Sequence, residues 1–293
     1  MTVMTRRRCP AILAVLVLLM AMVSGLVQPA LAHADGQGCP AQVAALDDNQ
    51  ARIAEHNARG GGPGPPEIVI PYNREAAQLN AEKDALVASL QACQLAIGKL
   101  RDNGPAPKAL KPTVLSDLGK AAAAARPQWT SPTPPVKLGD GRVTVPKDHA
   151  LRPVWDVVKN QVTPLKPYPN VPLQGERRPS VGDSHPSGYT VGSKPNGAPA
   201  VSADHIVPKV EILYLPRFLE LTPENMWEVL NAASNLQWLP SEVNTRNKNS
   251  KSAADMQDVD PDWQKEQVAL QDRKRRELTD MIAQLADSQL PKP

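Results

Sequence analysis

The chain has 293 residues, 31 of them proline and only 3% aromatic, with 33 basic and 30 acidic side chains for a formal net charge of +3. That size permits two small cores but not one large one. Removing the arginines at positions 6 to 8 would leave the charges balanced, so net charge supplies no global basic footprint of the kind nucleic-acid enzymes carry.

Residues 1–32 read as an export signal. Arg6, Arg7 and Arg8 form a basic start, Ala11 to Val27 an apolar stretch, and Ala30-Leu31-Ala32 a small-x-small cleavage site. The apolar run is marginal for a membrane span and ends in a good cleavage site, so the expectation is a secreted chain beginning at His33. Cys9 is lost with the signal, leaving Cys39 and Cys93 in a compartment where disulfides persist.

Residues 33–101 predict a helical hairpin. Val43, Leu46 and Ile53 keep a helical period up to the breaker Gly60-Gly61-Gly62-Pro63-Gly64-Pro65-Pro66. Beyond it Leu79, Leu86, Cys93 and Leu100 recur every seven residues, with Leu90 and Ile97 between them. An antiparallel return brings Cys39 beside Cys93, which predicts a disulfide closing the base of the hairpin. The pair reads as a structural coiled coil, with a docking or delivery module as the alternative.

Residues 102–178 turn to proline, alanine and lysine, including the run Ala121 to Ala125, and read as a mostly irregular, extended linker. A short ordered element is expected over Leu151–Gln161, where Val154, Trp155, Val157 and Val158 cluster. His149 and His185 lack metal-ligand spacing and read as structural or surface residues.

Residues 179–293 hold the one stretch where a histidine, a carboxylate and amides fall in an order that suggests chemistry. Asp204-His205-Ile206-Val207-Pro208 is followed by Asn235-Leu236-Gln237-Trp238-Leu239 and by Asn244-Thr245-Arg246-Asn247-Lys248. An Asp-His pair supplies an anionic oxygen and a neutral imidazole, which together can hold a divalent cation and deprotonate a water. Between these motifs, Thr222 as N-cap, Pro223 at the first helical position and Met226, Trp227, Val229 and Leu230 as an apolar face predict a helix. A last helix carries Leu278, Met281, Ile282 and Leu285, and its Arg273-Lys274-Arg275-Arg276 run reads as a solvated face rather than a phosphate site.

The order and spacing of these residues resemble the HNH, or ββα-metal, nucleases in the variant that ends in asparagine, over about residues 185 to 275. The helix between the motifs resembles an insertion found in nuclease tips of secreted bacterial polymorphic toxins. The cysteine pairs that bind a structural zinc in many members are missing, with Pro240 and Val243 in that neighbourhood. The resemblance implies an α+β fold in which Asp204 and Asn244 hold a divalent metal, most readily Mg²⁺ or Mn²⁺. It implies His205 as general base and Asn235 as the residue that orients it by accepting a hydrogen bond from the imidazole. Lys248, with Arg246 and Lys251, would neutralise the scissile phosphate.

The expectation is a metal-dependent, sequence-tolerant endonuclease of the toxin type, acting on DNA in preference to RNA, with a neutralising immunity protein as companion. Two alternatives stand beside it: a non-catalytic interaction protein built on a degenerate nuclease-like fold, and an RNase using the same site. Charge distribution weighs modestly against DNA. Residues 201–293 carry eleven basic and fifteen acidic side chains, whereas residues 101–200 carry fourteen and seven, so only the linker is basic.

Overall fold

The computed structural model describes residues 38–61, 64–102, 104, 106–129, 134–161 and 171–289. The segment expected to be an export signal, with Cys9, lies outside the described residues. Helices α1 (Pro40–Ala58) and α2 (Pro66–Arg101) form the hairpin, closed by a Cys39–Cys93 disulfide whose Cα atoms are 6.2 Å apart. Cys39 and Leu46 from α1 meet Leu86, Leu90, Cys93 and Ile97 from α2 in the seam. The second seam row of α1 is polar: Gln42, Asn49 and His56 recur every seven residues and are all buried. Each finds its own solution. Gln42 donates to the carbonyl of Ser288, Asn49 to that of Leu79, and His56 stacks on Tyr72 with ring centroids 3.9 Å apart. The tip needs glycine: Gly60 takes a left-handed φ of 69°, and a Cβ on Gly61 would lie 2.2 Å from the Tyr72 ring.

The stretch expected as a mostly irregular linker holds more ordered structure than the short element expected over Leu151–Gln161, which corrects that expectation in part. It holds α3 (Pro112–Ala125), the short ribbon β1 (Val136–Lys137) and β2 (Val143–Thr144), and α4 (Arg152–Val158). The alanine run is a close-packing face rather than low complexity: Ala122 and Ala125 are buried with Leu118 in the main core. Alanine is the best helix former and lets a neighbouring element approach closely. Proline misled at α3 as well, because Pro112 sits in its first turn, where a missing N–H costs nothing, as Pro153 does in α4.

The C-terminal part contributes β3 (Val201–His205), the single turn α5 (Lys209–Ile212), α6 (Pro223–Leu230), β4 (Leu236–Pro240), a π-helical turn over Val243–Lys248 and α7 (Pro261–Ser288). Thr222 caps α6 by accepting from the Asn225 N–H, and Asp260 caps α7 by accepting from Asp262 and Trp263. Strands β3 and β4 pair antiparallel, with Asp204 opposite Gln237 and His205 opposite Leu236. Among the described residues the fold is therefore mixed, mostly helical with two two-stranded ribbons.

The main hydrophobic core joins the hairpin, α3, α4, α6 and the end of α7. It gathers Leu90 and Ile97 of the hairpin, Leu118 of α3, Val154 and Val158 of α4, Phe218, Met226 and Leu230 around α6, and Ile282 and Leu285 of α7. Strands β3 and β4 pack in two smaller clusters, one around Val201, Leu236 and Trp238 and one around Leu239, Val243 and Trp263. Gln42 and Ser89 both donate to the Ser288 carbonyl, tying the end of α7 to the hairpin. The boundaries drawn in the sequence at 101 and 178 thus do not separate independent cores, because α3 and α4 carry the core across them. No described helix is long and apolar enough to cross a membrane.

Candidate functional site

The β3–β4 ribbon and the π-helical turn after it bring most of the singled-out residues together. His205 ends β3, and its Nε2 lies 2.9 Å from the Leu230 carbonyl. That oxygen belongs to the last turn of α6, where carbonyls have no intrahelical partner. A carbonyl can only accept, so Nε2 carries the proton and Nδ1 is left as a lone pair. Burial, then the nearby ammonium of Lys209, push the imidazole down to about 3, so it is neutral at pH 7. The residue keeps part of its surface exposed.

Asn235 is fully buried and does not touch the imidazole, which corrects the role expected for it. Its Oδ1 accepts from the Val207 N–H and its Nδ2 donates to the Val207 carbonyl, both at 2.9 Å. Its own carbonyl also accepts from the Ile206 N–H. The amide therefore clamps the chain where it leaves β3, two residues past His205, and fixes the imidazole only through the backbone. The Leu230 carbonyl takes the orienting part that had been assigned to Asn235.

Asp204 and Lys248 form a buried ion pair, with residue exposures of 8% and 3%. The ammonium donates to Asp204 Oδ2 and to the carbonyls of His205 and Ile206, which uses all three of its hydrogens. Burial pushes the Asp204 carboxyl above its ordinary range, against the lowering effect of Lys248. Lys248 is thus committed to Asp204 and not turned to a phosphate, since a buried carboxylate demands a counter-charge. The π-helical turn makes this reach possible: Asn249 N–H bonds to the Asn244 carbonyl five residues back.

Asn244 donates from Nδ2 to Ser202 Oγ on β3 at 2.9 Å, and its side-chain oxygen has no donor among the described residues. Arg246 pairs with Glu242 on the exposed side of the turn. Lys251 bridges to Arg142 and lies near Asp140 and Asp255. Neither is brought to His205 by any contact. His149 and His185 accept from backbone N–H groups two residues on, those of Leu151 and Ser187, and so are structural. The basic run in α7 is paired within the fold, with Lys274 on Glu277 and Arg275 on Glu211 and Asp272.

No three His, Cys, Asp or Glu side chains gather as a metal site among the described residues. The carboxylate of Asp204 and the free amide oxygen of Asn244 are hard donors and fit Mg²⁺ or Mn²⁺ in kind. The cation that Asp204 now holds is the Lys248 ammonium, which must withdraw before a divalent ion can bind the same oxygen.

Two groups at this site escaped the sequence. The Leu230 carbonyl carries no side-chain signal at all. Lys209 has one, its place four residues after His205, and it was passed over. No protein-family model, curated protein or solved structure matches the chain.

Proposed function

We propose that the chain is a secreted, metal-dependent endonuclease of the HNH type that cuts DNA with little sequence preference and serves as a toxin effector. The observation that carries this reading is the His205 Nε2 to Leu230 carbonyl bond. It leaves a neutral imidazole with a defined unprotonated nitrogen, partly exposed, at the end of an antiparallel ribbon followed by a helical turn bearing Asn244. This is the arrangement a general base needs to take a proton from water. An anionic phosphodiester beside His205 would raise its affinity for that proton from the low value that burial imposes. Asp204 and Asn244 would hold the divalent ion, which supplies charge neutralisation at the phosphate and a more acidic water. The Cys39–Cys93 disulfide supports an oxidising compartment. The toxin reading carries with it an immunity protein that masks His205 in the producing cell.

A second reading is favoured by the Asp204–Lys248 pair. If the ammonium permanently replaces the metal, the fold is a non-catalytic interaction module. The test is nicking of supercoiled plasmid by the chain without its signal, in Mg²⁺, Mn²⁺ or EDTA, with His205→Ala and a single-stranded RNA substrate in parallel. Metal-dependent cutting of plasmid that vanishes in His205→Ala supports the DNase, and cutting of RNA alone assigns an RNase. No cutting of either by folded protein supports the interaction module.

A further inference from the structure

Four cations were singled out or stand near the ribbon, and three have their charge spoken for. Lys248 is buried on Asp204, Arg246 lies on Glu242, and Lys251 sits beside Asp140 and Asp255. Lys209 differs. It is only partly exposed, yet among the described residues no carboxylate lies within ion-pair distance of it. Its ammonium makes one long hydrogen bond, 3.3 Å to the Gln161 carbonyl, and sits 5.9 Å from the centroid of the Trp227 ring. Of three N–H donors, two have no acceptor among the described residues.

The same helix anchors this lysine and the imidazole. Trp227 and Leu230 are three residues apart on α6 and so share a face; one presents its ring to Lys209 and the other its carbonyl to His205. After burial itself, the Lys209 ammonium is the next-largest influence lowering the His205 imidazole. A desolvated cation without a counter-charge is costly, and burial pulls Lys209 down to about 8, which still leaves it mostly charged at pH 7. An arrangement that keeps a bare ammonium beside a neutral, oriented imidazole is one prepared for an anion.

We propose that Lys209, not Lys248, is the phosphate-binding cation of the His205 site, contacting the DNA phosphodiester that His205 serves. This rests on the endonuclease reading and assigns its substrate contact. Charge is delivered through the two N–H donors without an acceptor among the described residues, and the Trp227 ring faces the ammonium.

The experiment compares wild type, Lys209→Met, Lys209→Gln and Lys209→Arg. Binding of a fluorescent duplex oligonucleotide is followed in EDTA across a salt series, alongside plasmid nicking in Mn²⁺ and urea unfolding. Lys209→Met and Lys209→Gln are expected to flatten the slope of log K against log salt by about one and to cut kcat/KM by about tenfold or more. Both should fold with wild-type stability or better, because they remove an unpaired charge. Lys209→Arg should restore the slope. A purely structural lysine gives the reverse pattern, with stability lost and the slope unchanged. Wild-type cutting with unaltered slope and kcat/KM in the folded Met and Gln variants overturns the role of Lys209 and leaves the nuclease standing. Wild type that neither binds nor cuts DNA overturns both.

Discussion

Lys248→Met removes the only cation that Asp204 contacts among the described residues and strands a carboxyl that is 8% exposed. The lost ammonium had three oxygen partners, the carboxylate and the carbonyls of His205 and Ile206, so two backbone acceptors are stranded with it. Breaking a buried pair from one side costs about 3–5 kcal/mol. At roughly 2–4 °C per kcal/mol for a chain of this size, Tm should fall by about 6–20 °C. Because burial already pushes the Asp204 carboxyl upward, the variant can relieve its stranded charge by taking up a proton, so its deficit should shrink as pH is lowered. Asp204→Asn combined with Lys248→Met should recover part of the loss. Thermal and urea unfolding followed by circular dichroism measure all of this. The same assay tests the metal: if Asp204 and Asn244 accept a divalent ion, Mn²⁺ at a hundredfold excess over its Kd returns about 2.7 kcal/mol to Lys248→Met. Wild type should gain less, since its ammonium competes. A loss below about 1 kcal/mol, the range of exposed pairs, would refute the claim that this pair is a buried keystone of the ribbon.

Three further outcomes follow from the same geometry. Reducing the disulfide, or Cys39→Ser with Cys93→Ser, should cost about 4 kcal/mol on the chain-entropy account for a separation of 54 residues, read from the shift in urea midpoint. Asn235→Ala strands both polar groups of Val207 at about 1–3 kcal/mol each, and the Val207 amide should exchange with solvent markedly faster by NMR. His205 titrates near 6.5 when unfolded and about 3 when folded, so the unfolded state binds the extra proton. The resulting stability is full above about 6.5 and is lost as pH falls toward about 3, by up to roughly 1.4 kcal/mol per pH unit. His205→Gln, which can still donate to Leu230, should lose less stability than wild type between pH 7 and 4; parallel losses would refute the assignment.

The legible parts of this chain were those encoded by local pattern. The heptads of α2 and the spacing of Cys39 and Cys93 led to the hairpin and its disulfide, and Thr222-Pro223 with its apolar face led to α6. What stayed hidden depends on partners distant in sequence. Asp204 and Lys248 are 44 residues apart, and only the wide π-helical turn turns Lys248 back to the strand. The Leu230 carbonyl is exposed for use because α6 ends there, a fact about the helix and not about leucine. The polar row Gln42, Asn49 and His56 broke the apolar heptad of α1, and its satisfaction comes from Ser288, Leu79 and Tyr72. Proline counts concealed α3 because composition cannot tell a proline in a first turn from one in a linker.

The charge distribution changes meaning once the linker is seen to be folded. Read linearly, the basic residues 101–200 and the acidic residues 201–293 put positive charge in the wrong place for a nuclease. In the fold, described parts of that stretch pack around α6. The Lys108 carbonyl accepts from the Trp227 indole, the Gln161 carbonyl accepts from Lys209, and Arg126 donates to the Leu219 carbonyl. Helices α3 and α4 share the core of α6 and so cannot drift from it. These contacts bring backbone of that stretch around α6, while its Lys137, Arg142, Arg152 and Lys159 are paired with acidic side chains. The linear tally therefore overstates the positive charge the stretch leaves unpaired. The same packing means the site cannot be cut out as a small C-terminal fragment: a piece beginning near residue 179 would expose Phe218, Met226 and Leu230 and lose the carbonyl of Gln161 that steadies Lys209.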